Sequence, residues 1–233
     1  MKEPLAGDGF VLRRATPADL DFVVELTGHE DVEPYMAAMS ARDPDELLRE
    51  IELSMTDPKH YGRFVVEVED EAAGLMAFEV SSRRSRIANL RGLMLLPDYR
   101  GRGIADAAAQ LLVRHLVFDL DYHRVQLECY GFNERAIRHA ERAGFVREGA
   151  KRKVYWRHGE WVDGVLFGVI REDVAAYAYD LRRESERGGI VEEDELDHEA
   201  RIQDTDQEWD ELRETEGMPP PPGEDGADDE PEY

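Results

Sequence analysis

Residues Gly92 to Leu112 read GLMLLPDYRGRGIADAAAQLL, and the reading of this stretch decides the fold. The apolar run Leu93-Met94-Leu95-Leu96 is too short for a helix and is stopped by Pro97, which predicts the end of a buried strand. Pro97-Asp98-Tyr99 then turns the chain. Beyond Arg100-Gly101-Arg102-Gly103, apolar residues recur at helical steps: Ile104, Ala107, Ala108, Leu111, Leu112 and Leu116. A strand, a glycine-rich loop and a helix N-terminus in that order make an anion cradle. The free N–H groups of the first turn point at the loop, and glycine lets the backbone approach a phosphate closely.

Three phosphate-binding designs compete for this loop. A Walker A loop requires G-x-x-x-x-G-K-[ST], and nothing after Gly101 supplies it. A dinucleotide fingerprint, G-x-G-x-x-G, finds two of its glycines in Gly101 and Gly103, but Asp106 stands where the third belongs. Glu128, near the end of the following strand, could imitate the acid that holds a ribose. The third design, R/Q-x-x-G-x-G/A, is met by Arg100, Gly103 and Ala105. A plain strand-to-helix turn is the fourth reading, since glycine pairs are common in turns.

Further matches lie downstream. Asn133-x-x-Ala136 is followed by Glu141-Arg142-Ala143-Gly144-Phe145-Val146-Arg147-Glu148-Gly149, and then by Gly159-Glu160-Trp161-Val162-Asp163. With the loop, these resemble in type and order the motifs of the GNAT superfamily of N-acetyltransferases, in its RimJ/RimL-like branch. The resemblance covers roughly residues 9 to 175. It implies a mixed α/β fold: a central, mostly antiparallel sheet, splayed in the middle and flanked by helices.

The chain has 233 residues and a single cysteine, Cys129, so no intrachain disulfide forms. No run approaches the length of a membrane span, and MKEPLAGDGF lacks the apolar core of a signal peptide; a cytoplasmic protein is expected. Its 53 acidic residues against 29 basic ones give a net charge of −24. Only four of those 29 are lysine, leaving 25 arginines, a composition suited to staying hydrated in concentrated salt. Such charge argues against a nucleic-acid partner, which needs clustered cations, and favours a cationic or amine-bearing acceptor.

Taken in order, Phe10–Ala15 reads as a strand, and Thr16-Pro17-x-Asp19 as a helix start. A second helix is predicted from Pro44 to about Met55. The stretch between, Asp31 to Arg42, carries Tyr35, Met36 and Met39; the resemblance implies that it overlies the acceptor site, and the other reading is the packing of an ordinary loop. Strands follow at Arg63–Glu69, Gly74–Val80 and Ile87–Leu96, an antiparallel meander where a dinucleotide domain would begin with a parallel unit. The helix after the loop should reach about Leu120. Arg124–Tyr130 is a strand, Asn133 caps a helix ending at Gly144, and a hairpin turns at His158-Gly159. A helix from Asp173 to about Arg187 closes the domain, taken as residues 1–188. Residues 189–233, acidic and with four consecutive prolines at 219–222, are expected to be disordered.

The resemblance assigns parts of the site. Backbone of Leu93, Met94 and Leu95 would hold the pantetheine arm of acetyl-CoA and offer the oxyanion an N–H. Arg100, Gly101, Arg102, Gly103, Ile104 and Ala105 would hold its pyrophosphate. Asn133 would reach the pantetheine amides, or serve only as a helix cap. No metal is called for, and a homodimer is compatible with the family. Relatives place a glutamate base where Asn89 stands and a tyrosine acid where Ala140 stands, and neither residue can do that work. Glu128 and Tyr130 are therefore the candidate base and acid, with Glu79 behind them. The acceptor would be a protein N-terminus, a polyamine or another small amine. A non-catalytic acetyl-CoA-binding module is the rival reading. Cys129 reads as a core thiol, and His123 and His139 as surface residues.

Overall fold

Strand pairing reproduces the predicted antiparallel meander. The computed structural model describes residues 4–32, 35 and 43–176. Among them the strands are β1 (Leu5–Ala6), β2 (Val11–Arg14), β3 (Tyr61–Val68), β4 (Glu71–Ser82), β5 (Ile87–Leu95), β6 (Arg124–Tyr130), β7 (Val146–Arg157) and β8 (Glu160–Ile170). The α-helices are α1 (Leu20–Gly28), α2 (Pro44–Thr56), α3 (Ile104–Arg114) and α4 (Glu134–Arg142). One sheet holds the strands in the order β1-β2-β3-β4-β5-β6-β8-β7. Every pairing is antiparallel except β5 with β6. The mixed α/β architecture is the expected one, and a parallel dinucleotide-binding sheet is ruled out.

Several boundaries move for local reasons. Between the first two strands of the meander the connection is shorter than the predicted gap from Glu69 to Gly74: Glu69 and Asp70 both take positive φ (52° and 66°), so two residues suffice to reverse the chain. His158 and Gly159 (51° and 82°) do the same between β7 and β8. Regular α-helix in α3 ends at Arg114, short of the predicted Leu120. His115–Asp119 continues as one wider π turn, closed by Leu120 N–H to His115 O at 3.1 Å. Within it the buried His115 pairs through Nδ1 with Asp119 at 2.7 Å.

Helices cover the sheet on both faces, giving two cores. Val65, Leu75 and Met94 pack with Val23, Leu26, Leu47 and Ile51 of α1 and α2. Phe64, Met76, Phe78, Ala88 and Leu90 pack on the other face with Ala108, Leu112 and Ala140 of α3 and α4. Consecutive strand residues thus alternate between cores, as the pleat requires. Residues 171–176 begin the predicted closing helix. Its remainder, Met36, Met39 and the predicted tail at 189–233 lie outside the described residues. Among the described residues no helix is long and apolar enough to cross a membrane.

Candidate active site

The middle of the sheet is forked. β5 and β6 pair only where Ile87, Ala88 and Asn89 meet Arg124, Val125 and Gln126. Beyond that point β5 stays on β4 as far as Leu95 opposite Gly74, and β6 stays on β8 as far as Tyr130 opposite Gly164. The inner edges of residues 90–95 and 127–130 are left open to a ligand that can hydrogen-bond to backbone. A bulge helps to open the fork. Ala77 faces Arg91 but Leu75 faces Met94, so β5 holds one residue more than β4 over this span. Gly92, with φ of 64°, makes the bend. The extra residue also reverses the side-chain parity: Ala88 and Leu90 enter the α3 core, whereas Met94 enters the α1–α2 core. At the crotch of the fork, Gln126 Nε2 donates to Asn89 Oδ1 at 2.8 Å. Asn89 therefore clamps the two strands at the position where the family resemblance expects a base.

The glycine loop leads out of the open end of β5 into α3. Gly101 and Gly103 have φ of 76° and 77°, the left-handed region that favours glycine, and an added Cβ at either would meet nothing within 4 Å. The first helical bond is Ala107 N–H to Gly103 O at 3.1 Å, so the N–H groups of Ile104, Ala105 and Asp106 precede the helical ladder and point into the loop. Asp106 could have competed for them. Its carboxylate is instead committed to His139 Nδ1 at 2.6 Å and Arg142 Nε at 2.7 Å on α4. Burial pushes the Asp106 carboxyl up, but hydrogen bonds from Arg142 and His139 outweigh it and hold it below its ordinary value. His139 is thus a half-buried tie between helices, not the surface residue expected. Arg100 turns its side chain away: Nε donates to Leu95 O at 2.9 Å, and a terminal nitrogen reaches Asp31 at 3.2 Å. The Arg102 guanidinium lies 5.5 Å from the Tyr99 ring centre. What the loop offers an anion is backbone. Asn133 makes its predicted cap, its Oδ1 accepting from Ala136 N–H at 3.1 Å.

On β6, Val125, Leu127 and Cys129 face the α3 core, so Glu128 and Tyr130 point to the other face of the sheet. Glu128 Oε2 lies 2.7 Å from Lys151 Nζ on β7. Glu128 Oε1 is buried with no well-aligned hydrogen-bond partner among the described residues. Room for it exists because residue 164, on the strand between, is glycine: a Cβ there would collide with Glu128 Oε1 and crowd the Tyr155 ring. Burial, and then the neighbouring Glu128 carboxylate, push the Tyr155 hydroxyl up to about 12. Tyr130 is buried, stacked on Phe132 at 5.3 Å between ring centres and edge-on to Tyr155 at 5.0 Å. Phe132 in turn stacks on Tyr35 at 6.1 Å, so the described part of the Asp31–Arg42 stretch does reach the end of β6.

The remaining candidates separate from this cluster. Glu79 sits opposite Asn89 in the sheet but is paired to Arg91 at 3.3 Å, in a cleft of about 210 Å3 beneath α2. Ala140 is wholly buried in the α3–α4 core. Burial and then Glu128 push the Cys129 thiol up to about 11, the state of an unreactive core thiol. Sequence reasoning missed Lys151, Tyr155 and Gly164. For Lys151 a signal existed in the scarcity of lysine; for the other two, only the register of β8 between β6 and β7 brings them to Glu128.

Known proteins bear on this geometry. The acetyltransferase (GNAT) domain model matches residues 10–146. An uncharacterized, prophage-derived N-acetyltransferase of Bacillus subtilis is 36% identical over 81 residues, 35% of this chain and 46% of that protein, so the match spans under half of that relative. Spermidine N(1)-acetyltransferase of Escherichia coli is 27% identical over 170 residues, 71% of this chain and 88% of the relative. Among solved structures, the spermidine N-acetyltransferase of Vibrio cholerae in complex with CoA and spermine superposes with a TM-score of 0.63. It is 21% identical, covering 72% of this chain and 99% of that one.

Proposed function

Since the chain belongs to the GNAT acetyltransferase family, we propose that it transfers the acetyl group of acetyl-CoA to a primary amine, with Glu128 as the base. The observation that carries this reading is the fork between β5 and β6, whose open backbone edges lead to a carboxylate on the released half of β6. Backbone of Leu93, Met94 and Leu95 holds the pantetheine arm, and an N–H from this stretch meets the oxyanion. The turn from Arg100 to Ala105 takes the pyrophosphate on backbone N–H groups at the α3 terminus. Asn133 has its Oδ1 engaged in the cap and only its Nδ2 left to offer the pantetheine. Glu128 accepts the proton of the attacking amine, directly or through water, and Tyr130, at the end of the same strand half, donates to the departing thiolate. Tyr155 braces the Glu128 carboxylate. Relatives that acetylate spermidine favour an amine acceptor, and the polyamines, protein N-termini and other small amines all carry the required group.

Asn89 in its clamp and Ala140 in the core favour a second reading, an acetyl-CoA-binding module without turnover. Release of free CoA, measured against peptide and polyamine pools in low and high salt, separates the two. Turnover with any amine supports the enzyme. Calorimetric binding of acetyl-CoA with no turnover on either pool supports the module.

A further inference from the structure

Carboxylates on this face of the sheet are generally paired with arginine: Arg63 and Arg91 with Glu50, Arg91 with Glu79, Arg124 with Glu148. Glu128 is paired with Lys151, one of only four lysines beside 25 arginines among the 29 basic residues. The difference is chemical. A guanidinium keeps its protons at any working pH and cannot act as a nucleophile. A lysine ammonium, once it gives up a proton, is a primary alkyl amine. That is the functional group the proposed reaction acetylates.

Position agrees with this chemistry. Lys151 Nζ stands 2.7 Å from the carboxylate assigned to take the acceptor's proton, on the half of the sheet that the fork opens. Its side chain is half exposed, so it is not sealed in place. Gly164, beneath the pair, adds no bulk between it and the fork. We propose that Lys151 is a self-acetylation site, to which the chain transfers one acetyl group from its own bound acetyl-CoA. This rests on the acetyl-transfer reading above.

The step balances without any further reactant. Glu128 takes one proton from the Lys151 ammonium. The freed nitrogen attacks the thioester carbonyl carbon, the C–N bond forms, and collapse of the tetrahedral oxyanion breaks the C–S bond. The second proton leaves nitrogen for the thiolate, so the products are an Nζ-acetyl amide and CoA thiol. The amide carries no charge, so the ion pair with Glu128 is lost and the reaction stops at one acetyl group per site.

The test is to incubate the full chain with acetyl-CoA and no added amine, then follow intact mass and map peptides. The expected product carries one acetyl group, on Lys151. Lys153 lies two residues away on the same exposed strand and reports spontaneous acylation. Glu128→Gln should slow the modification by about a hundredfold, and Lys151→Arg should abolish it. Equal labelling of Lys151 and Lys153, or equal labelling in the heat-unfolded chain, overturns the proposal. So does an unmodified Lys151 in a chain that binds acetyl-CoA by calorimetry; if that chain also acetylates an added amine, the acetyl-transfer reading survives. Absence of acetyl-CoA binding overturns both.

Discussion

A carboxylate takes a proton from an ammonium only within hydrogen-bond reach, and glycine at 164 leaves Glu128 the room to hold its position, since a Cβ there would collide with it. Replacing Glu128 by Gln preserves shape and hydrogen-bonding reach, so its effect isolates proton acceptance. Turnover should fall by about a hundredfold or more, with acetyl-CoA affinity unchanged. Normal turnover in that variant would move the base to Glu79 or to bulk water. Tyr155 carries its own signature in stability. Its folded-state pKa is raised from 10.0 to about 12, so the unfolded chain ionises first as pH climbs through that window. Below pH 10 the group contributes nothing pH-dependent; between the two values the wild type loses stability relative to Tyr155→Phe. Urea unfolding of the pair across that range reads the difference, and parallel curves would place the hydroxyl outside the Glu128 cluster.

Elements carry the binding geometry. Gly103 caps α3 from the left-handed region, in open space. Alanine there should cost about 1 kcal/mol of backbone strain and leave acetyl-CoA binding largely intact. Glutamate should cost a similar amount but also put a carboxylate where the pyrophosphate is to sit, and abolish binding. Calorimetry on the two folded variants decides it, and equal affinities would remove the loop from the site. Behind the loop, Asp106 ties α3 to α4 through His139 and Arg142. Its folded-state pKa lies below the ordinary 3.8, so its stabilisation is present above that value and lost as pH falls through the folded pKa. Asp106→Asn should destabilise the chain by about 1 kcal/mol near neutrality, and the gap to wild type should narrow below pH 3.8. A gap that stays constant with pH would mean the tie is packing, not charge.

Across the whole molecule the net charge of −24 sets the response to salt. Like charges repel most in the compact state, and that repulsion is screened within about 8 Å at physiological ionic strength. The melting temperature should therefore rise steadily from dilute buffer to molar potassium chloride. A flat or falling curve would show that the local ion pairs, such as those of Asp106 and Glu50, outweigh the net repulsion. Around the fork, arginines neutralise Glu50, Glu79 and Glu148, leaving Glu128 with a lysine.

What the sequence determined by itself was everything written in short-range backbone demands. Positive φ called for glycine at 101 and 103, the N-cap called for Asn133, and apolar runs bounded by turn residues marked the strands to within a few residues. These signals are legible because each depends on neighbours within a turn or a strand. The resemblance implied a splayed sheet, but only the tertiary structure fixed where the fork begins, because a parallel pairing that stops after Asn89 depends on where β6 arrives from beyond a helix. It also decided the bulge at Gly92, which sends Met94 to the opposite core from Ala88 and Leu90 against the simple alternation. Above all it chose the company of Glu128: Lys151 lies 23 residues away along the chain and Tyr155 farther still. The β7–β8 register follows from the turn at His158-Gly159, but the pairing of β8 with β6 is long-range, and only the two together bring those side chains over Gly164.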